Sequence, residues 1–252
     1  MKTRVLMIAL GGLVLAGCVS TPTGQPSQDQ KASQINTQLG TAYLRENRIE
    51  QALDRLQKAV RQDPDNAEAH SVLAVLYHHL GQHAEAGQHY QRSVALAPDD
   101  SAVLNNYGQY LCEQNRVQEG VAFLQRAVAN PLYRTPEVPL TNAGACLFRA
   151  GQAEQAEDYF LQALRANPAF PRALFSMARL RQEAGQSLSA RGFYQRYLAV
   201  SPQNPESLWL GIQIEQDLGD KDAVGSYSLL LRRQYPDSDE AKKLIELEKQ
   251  YD

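Results

Sequence analysis

Two hydrophobic patterns divide the chain. Residues 5–16 form an apolar stretch broken only by Gly11 and Gly12. From about residue 32 onward, apolar positions recur at helical spacing, in segments that each end at a proline. Pro64 and Pro98 are 34 residues apart, and so are Pro168, Pro202 and Pro236 in turn. The step from Pro98 to Pro168 is 70, two periods plus two residues. Proline cannot continue a helix and turns the residue before it away from the helical region, so each marks a helix end. Other positions keep the period. Small residues stand at Gly40, Ala74, Gly108, Gly144 and Ala178, and twelve positions later at Ala52, Ala86, Gly120, Ala156 and Ala190. Large ones follow at Leu56, Tyr90, Leu124, Phe160 and Tyr194. Two helices packed about 8–10 Å apart need small side chains where they cross and large ones beside the crossing. No segment alternates convincingly as a strand.

A period of 34 with this order of residue sizes resembles the tetratricopeptide repeat, a helix–turn–helix unit. The units run 33–66, 67–100, 101–134, 137–170, 171–204 and 205–238. The sixth departs from the pattern, with Ile212 and Val224 where small residues belong and Ser228 where a large one does. A terminal repeat has one neighbour only, so divergence there is expected. Beyond Pro236, Leu244, Ile245, Leu247 and Tyr251 share roughly one helical face, with Ser238 or Asp239 available as a cap. The expected fold is all-α: a right-handed superhelix of six repeats, a C-terminal capping helix and a concave groove. The resemblance places Leu44, Val75, Phe148, Phe175 and Trp209 on or near the concave wall, joined by Arg45, Arg149, Arg172 and Arg179.

The N-terminus carries a different signal. Lys2 and Arg4 precede the apolar stretch, which is signal-peptide length and too short for the roughly 20 residues of a spanning helix. Leu15-Ala16-Gly17-Cys18 then resembles the bacterial lipobox, in which the cysteine thiol takes a diacylglycerol. The expected organisation is a signal peptide over 1–17, a lipidated tether over 18–31 and the solenoid over 32–252. The tether is rich in Ser, Thr, Pro, Gly and Gln and would reach at most roughly 45 Å. Val19, rather than Asp, follows Cys18, which points to the outer membrane under the enteric sorting rule. The folded part would then be periplasmic. Whole-chain net charge is −3, and −5 once residues 1–17 are removed. Such a balance argues against a nucleic-acid partner.

Chemistry-bearing motifs are scarce. There is no nucleotide loop, nucleophile elbow or zinc-protease motif. All five histidines (His70, His78, His79, His83 and His89) fall in the second repeat. A metal site there is one reading. Exposed positions at helix ends is the favoured one, because no acidic or Cys residue lies at ligand spacing. No enzyme activity, metal or small-molecule substrate is expected. With Cys18 lipidated, Cys112 and Cys146 remain. First helices of adjacent repeats lie side by side, so a disulfide is favoured over two buried free thiols. The first repeat offers Gln34, Thr37 and Thr41 where some repeat domains carry basic residues that clamp a terminal carboxylate, so that ligand class is not expected.

The runs Asn105-Asn106-Tyr107-Gly108-Gln109-Tyr110-Leu111-Cys112, Asn130-Pro131-Leu132-Tyr133 and Thr141-Asn142-Ala143-Gly144-Ala145-Cys146 go beyond a generic repeat. With the lipobox, the length and six repeats, they resemble the PilF/PilW-type family of type IV pilus secretin pilotins. The resemblance implies an outer-membrane lipoprotein that helps secretin subunits localise and multimerise. Its only non-protein groups would be the diacylglycerol and N-acyl chain on Cys18. Its partners would be the secretin and the membrane, and it would be monomeric when free. The first repeat, nearest the anchor, is the expected client contact. The competing reading is a lipoprotein adaptor for another envelope machine, serving β-barrel assembly or peptidoglycan-hydrolase recruitment.

Overall fold

The computed structural model describes residues 25–249, so Cys18 and Tyr251 lie outside the described residues. Thirteen α-helices and no strand occupy the described part. They are α1 (Gln28–Arg45), α2 (Ile49–Gln62), α3 (Ala67–His79), α4 (His83–Leu96), α5 (Ser101–Glu113), α6 (Val117–Ala129) and α7 (Glu137–Arg149). The second half continues with α8 (Ala153–Ala166), α9 (Pro171–Glu183), α10 (Ser187–Leu198), α11 (Pro205–Leu218), α12 (Lys221–Gln234) and α13 (Asp239–Glu248). Odd-numbered helices open the repeats and even-numbered ones close them. From α3 to α11, each opening helix packs on its own partner, on the closing helix before it and on the next opening helix. The chain is a tetratricopeptide-repeat superhelix.

Residue size explains the crossings. Ala52, Ala74, Ala86, Ala156, Ala178 and Ala190 have no solvent exposure, nor have Leu56, Leu124, Phe160 and Tyr194. A Cβ added to Gly144 would stand 2.6 Å from the Phe160 ring. The turn inside each repeat also recurs. Asn47, Gly81, Asn115, Gly151, Gly185 and Gly219, the fifteenth residues of the six units, all have φ between 56° and 76°. Only Gly, and less often Asn, adopts that left-handed backbone without serious strain. These six positions, all Gly or Asn, keep the period of the repeat in the sequence as well.

Two expectations need correcting, and the divergent sixth repeat has a structural account. Helix α1 starts at Gln28, inside the segment expected to be tether, because Ser27 and Gln30 form a reciprocal capping box. The sixth repeat keeps its helix pair despite the divergence: Ile212 is fully buried, and Gly211 lies beneath Tyr194 of the preceding repeat's closing helix. Helix α13 occupies the place of a seventh opening helix, with Ala241 and Leu244 covering Leu208, Ile212 and Leu231. On that helix Ile245 is 42% exposed and so does not share the buried face.

Candidate functional site

The inner faces of the opening helices form a groove built from hollows that share walls. Val75, His78, Tyr90, Asn106, Gln109 and Tyr110 line one between α3 and α5. Gln109 and Glu113 carry over into the next, which reaches Asn142, Arg149, Arg172 and Arg179. Arg179 carries over again into a third with Phe175, Trp209 and Lys243. Opening helices supply nearly all of these side chains because each repeat presents the same face of its first helix inward.

A chain of side-chain hydrogen bonds runs along the groove floor. Asn106 Nδ2 donates to Ser71 Oγ at 3.1 Å, and Asn105 Nδ2 donates to Asn106 Oδ1 at 3.3 Å. Asn142 Nδ2 donates to Asn105 Oδ1 at 2.9 Å, and Arg172 Nη2 donates to Asn142 Oδ1 at 2.9 Å. Four opening helices, α3, α5, α7 and α9, are thereby tied together by polar groups. Asn105 and Asn142 are buried, so these bonds satisfy groups that would otherwise be costly to desolvate. The Arg172 side chain still reaches water. The groove walls nevertheless strip part of its hydration, which pulls its pKa below the ordinary arginine value.

The Sγ atoms of Cys112 on α5 and Cys146 on α7 are 2.08 Å apart, a disulfide across 34 residues of sequence. Cys112 is part of the wall of the middle hollow. The bond therefore fixes two opening helices where the groove crosses them.

Not every expected wall residue lines these three hollows. Leu44 is half-buried and packs against the cluster of Ala52, Leu56, Leu73 and Leu76. Phe148 packs on the core of the second half and carries the Arg179 guanidinium 4.9 Å over its ring. Arg45 is exposed in the last turn of α1. Val75, Arg149, Phe175, Arg179 and Trp209 do line them.

The histidines are not uniformly exposed at helix ends. His70 is buried, with Nδ1 2.8 Å from His89 Nδ1 and Nε2 3.1 Å from the Pro64 carbonyl. His78 Nδ1 lies 3.2 Å from Glu113 Oε2, an acidic partner supplied by the next repeat and thus invisible at local spacing. Desolvation lowers the pKa of His70, His78 and His89. Among the described residues no group of three or more His, Cys, Asp and Glu side chains is placed to hold a metal ion.

Comparison with known proteins is decisive for the family. The tetratricopeptide-repeat family profile matches residues 37–101 and 146–205. The type IV pilus assembly protein PilF of Pseudomonas aeruginosa is 33% identical over 242 residues, 94% of this chain and 96% of that protein. The chain belongs to the PilF/PilW family of type IV pilus biogenesis proteins. Solved structures agree. The crystal structure of PilW, described as a widely conserved type IV pilus biogenesis factor, superposes with a TM-score of 0.77 at 33% identity. That match covers 84% of this chain and 98% of PilW. Pseudomonas aeruginosa PilF gives 0.74 at 33% identity, covering 86% and 98%. The PilF/PilW repeat array is thus present along nearly its whole length.

Proposed function

We propose that this protein is a pilotin: an outer-membrane lipoprotein, anchored at Cys18, that binds type IV pilus secretin subunits and promotes their localisation and multimerisation. Family membership over 94% of the chain carries the reading. The residues supply a mechanism. Acyl chains on Cys18 set the location. The inner groove offers apolar and aromatic contacts at Val75, Tyr110, Phe175 and Trp209, suited to holding an extended segment. The first repeat offers a second surface: Ile35 and Leu39, one turn apart on α1, are 57% and 38% exposed. Holding a β-rich subunit there would block premature strand pairing. Binding and release suffice for this work, so the protein acts as an adaptor and no chemical step is assigned to it.

The test is an immunoblot of the secretin in outer-membrane fractions. Strains would lack the gene, or carry Cys18→Ala, Val75→Arg or Ile35→Asp with Leu39→Asp. Loss of heat- and detergent-resistant multimers, with monomer remaining, supports the pilotin reading. Multimers unchanged in amount and location in the deletion strain would sink it and leave the envelope-adaptor reading.

A further inference from the structure

Several arginines in this protein bind a carboxylate closely. Arg191 binds Glu215 and Arg181 binds Glu157, while Arg116 grips Glu119 with two nitrogens. Three arginines in the middle of the groove do not. Arg149, in the last turn of α7, and Arg172, in the first turn of α9, make no ion pair among the described residues. Arg179, two turns further along α9, has only long contacts, 3.7 Å to Glu183 and 3.9 Å to Glu206. Its buried Nε has no hydrogen-bond partner. All three line one hollow of about 290 Å³. The carboxylate sharing it, Glu113, is engaged with His78.

Arg172 stands at a site that its own helix disfavours. Helix α9 has no acidic residue in its first turn and no side-chain cap, so the unsatisfied N–H groups there already present positive charge. Asn142 relieves this only as a neutral acceptor. A net-negative protein thus gathers three arginines, two of them without an ion pair among the described residues, at the centre of a groove whose flanking hollows carry Val75 and Tyr110 on one side and Phe175 and Trp209 on the other.

We infer that this hollow is a docking site for acidic side chains of an extended peptide running along the groove. The inference rests on the groove holding a peptide, not on that peptide coming from a secretin. An internal acidic residue fits better than a chain terminus. The arginines sit mid-groove, between the Val75–Tyr110 and Phe175–Trp209 hollows, and a terminal carboxylate there would leave one of these unfilled. Four helix-to-helix steps from α3 to α11 span roughly 35–40 Å. That length matches an extended peptide of about twelve residues.

The test uses the full-length lipidated chain in detergent micelles. The probe is a fluorescein-labelled, C-terminally amidated peptide of about twelve residues. It carries adjacent central glutamates, a leucine on one side and a phenylalanine on the other. Its control has glutamines in place of the glutamates. Binding is read by anisotropy and by the emission of Trp209, the sole tryptophan. The glutamate peptide should bind at least about tenfold more tightly at low salt. Raising the salt should shrink the difference. In the Arg149→Gln/Arg172→Gln protein the two peptides should bind alike. Equal binding to the unaltered protein, no binding by either peptide, or an undiminished preference in the double variant would overturn the inference. The probe contains no secretin sequence, so such a result leaves the secretin immunoblot untouched. Conversely, a clear glutamate preference beside unchanged secretin multimers would remove only the proposed client.

Discussion

At the scale of single residues, glycines separate into two kinds. A Cβ on Gly108 would lie 2.8 Å from Leu124 Cγ and 2.9 Å from the Gly120 carbonyl, and the backbone atom cannot move aside cheaply. Gly192, inside α10, has nothing within 4 Å of the corresponding point and an ordinary φ. Denaturant unfolding should therefore show Gly108→Ala destabilised by about 1–3 kcal/mol and Gly192→Ala stabilised by about 0.5–1 kcal/mol. The histidines make a second prediction. Burial lowers the pKa values of His70, His78 and His89 below the ordinary histidine value of 6.5. The unfolded chain then binds more protons than the folded one as pH falls below 6.5, so acid weakens the fold. Charges around His70 act both ways: Arg92 lowers its pKa, while Asp65 and Asp63 raise it. The urea midpoint should fall between pH 7.5 and pH 5, and His89→Gln should reduce that fall. A midpoint independent of pH would contradict the assignment. The spacing of small residues was legible in the sequence because each position repeats. The partners of His70 and His78 were not, because a packing neighbour on another helix leaves no local spacing.

At the scale of elements, the coupling of α5 to α7 has three components: apolar packing, the Asn142–Asn105 hydrogen bond and the Cys112–Cys146 disulfide. Closing a 34-residue loop in the unfolded chain is worth about 3–4 kcal/mol on the chain-entropy account. Replacing both cysteines with serine should lower unfolding stability by about that amount. A much smaller loss would show that the packing and hydrogen bonds already restrict the unfolded chain. The sequence indicated both cysteines and the adjacency of their helices. It did not indicate that Arg172 would complete the polar chain. That contact joins α9 to α7 through side-chain reach, which repeat position alone does not determine.

At the scale of the whole molecule, stability in a stacked array is a sum of units and the contacts between neighbours, so opening starts at the ends. Here the two ends are defended differently. The N-terminal unit extends α1 beyond the repeat and closes it with a capping box. The C-terminal unit is covered by α13. Between them, the crosslink at Cys112 and Cys146 changes how the chain responds to mechanical load. A pull applied at the two termini unravels the outer repeats, but the segment between the cysteines cannot pay out until its bond is reduced. In single-molecule force spectroscopy the oxidised chain should extend to a contour length shorter than the reduced chain by about 120 Å. Under the proposed function, a chain tethered at one end and gripped by a client along its groove would feel such a load. The middle of its groove would be the last part to lose its shape.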